Sequence, residues 1–289
     1  MSIVGLIKSH RRRRWRDARR NRLVAGLNLN GLGLEIGASH APIVPKRAGY
    51  KVEIADHSNA DELREHFRSD PTVDASNIEE VDYITGGGSI AKIINSPGRY
   101  DYIIASHVIE HVPDLFGFLH DCETLLKPDG VLSLAVPDMR YCFDALQSRS
   151  TTGMVLQASL NEPHRPSPAA VFDHTANCSE KSNHGVWRRF DPRPLKICNS
   201  LADAKAKFDE YVSNDAHTDI HVWRFVPSSF RLIAKDLYDM NLIALREMSF
   251  SAPGGFEFFA KFSRDGNSLN DDRQTLAIRA MRETCAIRF

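Results

Sequence analysis

Short apolar runs separated by polar, glycine-containing breaks dominate the first half of the chain. Leu32 to Ile36, Val52 to Ala55, Val81 to Ile84 and Tyr100 to Ala105 are rich in β-branched and aromatic residues and lack strict polar alternation. That is the pattern of strands buried on both faces of a parallel sheet. A fifth run follows from Gly130. Ser58 and Asp61 form a capping-box start for a helix through Leu63 and Phe67. Leu115, Leu119, Cys122 and Leu126 keep a helical repeat that Lys127-Pro128-Asp129-Gly130 ends. From about Ala145 to Thr218 periodicity lapses into a Ser-, Pro-, His- and Asn-rich stretch, too long for an ordinary connection and too polar for core, and so either a lid or disordered. Pro227 then opens a helix with Phe230, Ile233, Ala234 and Leu237 on one face. Leu242 to Phe250 and Phe256 to Phe262 read as two strands, and the short Pro253-Gly254-Gly255 link makes them antiparallel. The sum is an α/β fold with seven strands, mostly parallel, and an irregular insert at 145–218 ahead of the final helix and hairpin. Residues 1–29 form a basic helical extension, 30–263 the main domain, and 264–289 a polar hinge and tail helix.

Composition changes this picture little. Among 289 residues, 37 basic side chains balance 37 acidic ones, which argues against a global polyanion-binding surface and a nucleic-acid partner. The imbalance is local: residues 8–22 hold nine Lys or Arg against Asp17 alone, with Trp15 among them. Such a run could contact anionic lipid or a phosphorylated substrate, although a solvated helix start is the ordinary reading. Five scattered cysteines without a C-x-x-C pair read as reduced thiols of a cytoplasmic protein, peripheral at most to the inner face of a membrane. Ile3 to Ile7 is too short, and on the wrong side of its charges, for a secretory signal.

The chemistry concentrates between Gly31 and Ser58. Glu35 sits inside the first apolar run, which breaks at Gly37-Ala38-Ser39, and the second run ends on Asp56. A glycine turn after one strand and an acid after the next can hold a nucleotide, backbone against ligand and carboxylate on ribose. The dinucleotide fingerprint G-x-G-x-x-G is absent, because Gly31, Gly33 and Gly37 are spaced G-x-G-x-x-x-G and the first two precede or lie within the strand. An acid-x-Gly loop suits a cationic ligand better than a pyrophosphate.

Glu35-Ile36-Gly37-Ala38-Ser39, the strand-end Asp56 and the run from Tyr102 through Ser106-His107-Val-Ile-Glu110-His111-Val-Pro-Asp114 resemble the motifs of class I S-adenosylmethionine-dependent methyltransferases. Gly130 to Asp138, Arg140-Tyr141 and His221-Val-Trp223 are similar to a subgroup associated with bacterial glycan and polysaccharide synthesis. The likeness covers most of residues 30–145 and, more loosely, 217–262. It departs at Ser39, where the family motif usually has a second glycine. The resemblance implies a Rossmann-like sheet with an antiparallel last strand. It also implies S-adenosylmethionine as cofactor, held by Glu35, Ile36, Gly37, Ala38, Ser39, Asp56, His57, Thr85, Gly86, Ser106 and His107. His107, Glu110, His111 and Asp138 fall on the acceptor side as catalytic candidates. The expected reaction is O-methylation of a sugar or glycan, with another small metabolite, or a Rossmann-type oxidoreductase, as alternatives.

Two further patterns are weighed against this reading. His107-x-x-Glu110-His111 matches an inverted zinc-peptidase motif, which needs a helix; a strand before it and Pro113 after it forbid one, so no metal is expected. Thr85-Gly86-Gly87-Gly88-Ser89 lacks the lysine of a P-loop. The insert's Arg188 and Arg189 could hold an acceptor phosphate, with Trp187 among the polar residues of its pocket.

Overall fold

The computed structural model describes residues 3–160, 163–188, 191–214 and 218–285, with side chains from residue 14 onward. In chain order the elements are α1 (Ile3–Val24), β1 (Gly33–Ile36), β2 (Val52–Asp56), α2 (Ala60–His66), β3 (Tyr83–Ile84), α3 (Ile90–Ile94), β4 (Tyr100–Ser106), α4 (Leu115–Leu125) and β5 (Leu126–Pro137). There follow α5 (Thr152–Ser159), α6 (Pro168–Ala176), β6 (Ser179–Lys181), β7 (Leu195–Ile197), α7 (Leu201–Ser213), α8 (Pro227–Asp239), β8 (Arg246–Ser251), β9 (Glu257–Ser263) and α9 (Arg273–Cys285).

Seven strands form one sheet in the order β3-β2-β1-β4-β5-β9-β8. β1 to β5 are parallel, β9 runs antiparallel to β5 with Leu132 opposite Phe262 and Pro137 opposite Glu257, and β8 returns antiparallel to β9. The sheet is therefore a Rossmann-like one that ends in an antiparallel hairpin. Along β4, Ile103 and Ala105 face the larger core with Leu119, Phe230 and Leu237, while Tyr102 and Ile104 face a smaller core with Leu23 and Val44. Burial on both faces explains why the central strands read as unbroken apolar runs.

The capping prediction needs correction: α2 is capped by Asn59, whose side chain accepts from Glu62 N while Glu62 reaches back to Asn59 N. Ser58 lies one residue too early. Lys127-Pro128-Asp129-Gly130 interrupts as expected, but inside the strand: β5 pairs from Leu126 and the register jumps so that Tyr100 faces Leu126 and Tyr102 faces Val131. The insert is more regular than predicted. It contains α5, α6, α7 and the β6–β7 hairpin, each helix hiding only a narrow stripe, such as Ala170 and Val171 in α6 or Ala204 and Tyr211 in α7. Trp187 is buried there beneath the Lys181 ammonium.

The basic extension is not a free arm. Trp15, Arg19 and Leu23 recur every fourth residue and share a face of α1. Leu23 is fully buried, a contribution of about 1.5 to 3 kcal/mol. Trp15 packs on Phe256, and Arg20 donates to Ile43 O and the Tyr50 hydroxyl. Arg14 and Arg16 remain exposed. Among the described residues no helix is long and apolar enough to cross a membrane.

Candidate active site

The carboxyl ends of β1, β2 and β4 meet in one crevice. Gly37 leaves β1 with φ 66°, and a Cβ there would come within 2.5 Å of Val108, so the β1 and β4 loops approach as closely as a glycine allows. Ser39 holds φ 43°, the left-handed conformation that the second glycine of the motif would adopt without strain. Ser39→Gly is therefore expected to stabilise the protein, by up to about 1 kcal/mol after the entropy of the added glycine is set against it. A urea melt checks this, and a lower midpoint would mean that the serine hydroxyl contributes more than its backbone costs.

Asp56 terminates β2 with 4% of its surface exposed. Its Oδ1 accepts from His57 N and lies 2.8 Å from His57 Nδ1; among the described residues its Oδ2 has only a long contact from Ser39 N, at 3.3 Å. Thr85 donates backbone and hydroxyl to Asp56 O, and Gly86 beside it has open space where a side chain would stand. Ile36 and Ala38 are buried side chains, so only their backbone can meet a ligand. Glu35 turns away from the crevice: its oxygens accept from Ile43 N at 2.6 Å and Val44 N at 3.0 Å. Burial raises its pKa to about 7 despite those two donors. Its role in this structure is to fasten the 37–44 loop, and any effect on a ligand passes through that loop.

Arg19 enters the crevice from α1. It donates to both oxygens of Glu257, at 3.1 and 2.8 Å, and to the Ser106 hydroxyl. Glu257 Oε2 also lies 3.0 Å from His107 Nε2. His107 has φ 55°, rare for a residue with a side chain and common at functional sites. Burial opposes charge on its ring, but Glu110 and Glu257 outweigh burial and raise its pKa to about 9. Since 30% of the ring is exposed, the carboxylates decide the sign.

Beyond His107 the chain makes a turn, not a helix, through Glu110 and His111. Glu110 is completely buried and neither carboxylate oxygen has a hydrogen-bond donor among the described residues. Three imidazoles surround Oε1: His107 Nδ1 at 3.4 Å, His111 Nε2 at 3.7 Å and His221 Nε2 at 3.9 Å. Burial would raise the Glu110 pKa, yet these rings bring it down to about 2. His221 comes from the segment before α8, which is clamped here by backbone bonds from Val222 N and Trp223 N to Glu110 O and by Trp223 Nε1 to Val112 O. His221 Nδ1 lies 2.5 Å from buried Asp144, and His111 Nδ1 lies 2.7 Å from Asp219. His174 of α6 accepts from His221 N through its own Nδ1, and burial lowers its pKa to about 4.

Asp138 does not join this group. Its carboxylate is bound in a two-pronged pair by Arg140, at 2.8 and 2.5 Å, and accepts Arg140 N, so it is a turn-forming residue and not an available base. The insert does reach the crevice: a side chain at Gly87, which has φ 84°, would strike His164 O at 2.5 Å. Arg188 is exposed, and Arg189 lies outside the described residues. Sequence reasoning missed Arg19, Asp144, Asp219 and Glu257. Only Arg19 left a trace, in the four-residue spacing of Trp15, Arg19 and Leu23; the others lack any local pattern.

The profile of a family described as "Methyltransferase domain" matches residues 7–231. No curated protein matches the chain in sequence. Similar solved structures include a Rhodobacter sphaeroides protein provisionally titled a zinc-dependent alcohol dehydrogenase (13% identity, 86% of this chain and 90% of that one, TM-score 0.47). The methyltransferase CcbJ of Streptomyces caelestis is 12% identical over 86% of this chain and 95% of that one, TM-score 0.41. The glycopeptide N-methyltransferase MtfA, solved with S-adenosyl-L-homocysteine, is 12% identical over 86% and 88%, TM-score 0.41.

Proposed function

Because the chain belongs to the family of methyltransferase domains, we propose that it transfers a methyl group from S-adenosylmethionine to a hydroxyl of a sugar or glycan-type acceptor. The observation that carries the cofactor half is the Gly37-Ala38-Ser39 turn beside Asp56 at adjacent strand ends, with an Asp56 oxygen that only one long contact occupies among the described residues. S-adenosylmethionine supplies a methyl group activated by its sulfonium. Asp56 would take the ribose hydroxyls, the 37–39 backbone would lie along the methionine part, and Thr85-Gly86 would border the base. A dinucleotide would need a pyrophosphate seat that this loop, with φ 66° and 43° at residues 37 and 39, does not supply in G-x-G-x-x-G form.

The acceptor half rests on the polar insert over Gly87 and on the imidazoles around Glu110. A hydroxyl must lose its proton as it attacks, whereas a neutral amine is already nucleophilic, so a crevice with imidazoles besides the charged His107 favours a hydroxyl. Holding acceptor and methyl in line can supply roughly 7 to 11 kcal/mol of the acceleration. Isothermal titration is expected to give micromolar-class binding of S-adenosylhomocysteine and none of NAD; NAD binding without S-adenosylhomocysteine binding overturns the reading. Methyl-labelled cofactor offered with nucleotide-linked sugars, phenols and amines then tests the acceptor: label confined to amines sinks the hydroxyl assignment.

A further inference from the structure

We propose that Glu110, His111 and His221 bind one divalent transition-metal ion of the zinc class. Each residue offers a ligand atom, and the three atoms lie within 4.8 Å of one another. With Oε1 at 3.7 Å from His111 Nε2 and 3.9 Å from His221 Nε2, an ion at the centre of the triangle lies roughly 2.1 to 2.5 Å from each corner, against about 2.0 to 2.2 Å in zinc sites. Shifts of a few tenths of an ångström close the shell.

Two independent features point to a ligand. The first is Glu110 itself, fully buried with neither oxygen accepting a hydrogen bond among the described residues; the His107 ring 3.4 Å away offsets part of its charge but leaves the lone pairs unmet, and a cation would meet them. The second is the outer support. Both histidines present Nε2 to the centre; Asp144 hydrogen-bonds His221 Nδ1 at 2.5 Å, and Asp219 lies 2.7 Å from His111 Nδ1 as a charge contact without hydrogen-bond geometry. That is how metal-bound imidazoles are oriented and their tautomer fixed. Two imidazoles and one carboxylate favour zinc-like ions over magnesium or calcium, which prefer oxygen. Three protein ligands leave a further position, and His111, with 32% of its side chain exposed, marks the side that remains reachable.

The role at that position rests on the methyl-transfer reading. An acceptor hydroxyl drawn to the ion becomes more acidic and passes its proton to water. Its oxygen then forms the bond to the methyl carbon as the carbon–sulfur bond breaks, the electron pair going to sulfur to leave a neutral thioether.

The test uses the tag-free full chain, stripped with a chelator and titrated with Zn²⁺, and with Co²⁺ for its visible absorption. One ion per chain is expected, lost in Glu110→Gln and in His221→Asn. Asp219 is 72% exposed, so Asp219→Asn should leave the stripped protein folded and weaken metal binding about 10- to 100-fold. This variant decides the matter if Glu110→Gln does not fold. No saturable uptake by the wild type, or uptake unchanged in Asp219→Asn, overturns the proposal. S-adenosylhomocysteine titrated into the same samples separates the two readings: cofactor binding without metal sinks only the ion, and metal without cofactor binding sinks only the methyl transfer.

Discussion

Replacing Asp56 by alanine is expected to weaken S-adenosylhomocysteine binding roughly 10- to 150-fold, the equivalent of about 1.5 to 3 kcal/mol for hydrogen bonds to a charged partner. The carboxylate lies at the end of β2 with 4% exposure, held on one oxygen by His57 and only weakly on the other by Ser39 N. The weakly held oxygen has lone-pair capacity for ribose hydroxyls. Alanine removes that capacity and also releases the Ser39 amide, so the turn that should lie along the cofactor loses a tether. The Asp56→Asn variant keeps an acceptor without the charge and should fall between the two. Calorimetry on variants with unchanged circular dichroism reads the effect, and an unaltered affinity for Asp56→Ala takes this residue out of the site.

Trp223→Ala should cost about 3 to 5 kcal/mol of stability, in the range of buried aromatic truncations. Trp223 is 3% exposed and belongs to the main core, and its Nε1 donates to Val112 O at 2.7 Å. The indole also holds the strap that brings His221 to Glu110, so residual folded protein should lose whatever the cluster binds. Trp223→Phe keeps most of the apolar contact and loses the hydrogen bond, a smaller cost of about 0.5 to 1.5 kcal/mol. Urea titration of both variants decides this: equal stability in the wild type and Trp223→Ala would show that the strap docks without its indole.

Legibility followed sequence distance. The central strands β1, β2, β4 and β5 were readable because each buries both faces and so becomes a short apolar run, and the closing hairpin was readable because Pro253-Gly254-Gly255 permits no crossover. The helices of the insert were missed although their signals were present: Ser167 before Pro168, and Ser200 with Asp203 in a capping box. Polar composition concealed them, since each buries only a narrow stripe. The cluster around Glu110 was illegible for a different reason. Glu110 and His111 are local, and the absence of a helix correctly removes the peptidase geometry, but His221 arrives from beyond the insert, on a strap held by backbone bonds to Glu110 O. No period or spacing encodes that approach. Glu35 shows the converse, an acid at a motif position whose oxygens are taken by its own loop.

The ion pair between Arg19 and Glu257 joins positions 238 residues apart. Its consequence lies in the order of synthesis. α1 leaves the ribosome long before β9, which carries Glu257 and covers the edge of β5. Until then β5 is an open strand edge able to pair with another chain, and Arg19 and His107 lack the carboxylate that joins them. Domains whose pairings are this remote fold slowly, because loop closure must be met before the contacts reward it. A nascent chain halted before β9 would therefore carry β1, β2 and β4 with their loops and still present an unfinished crevice.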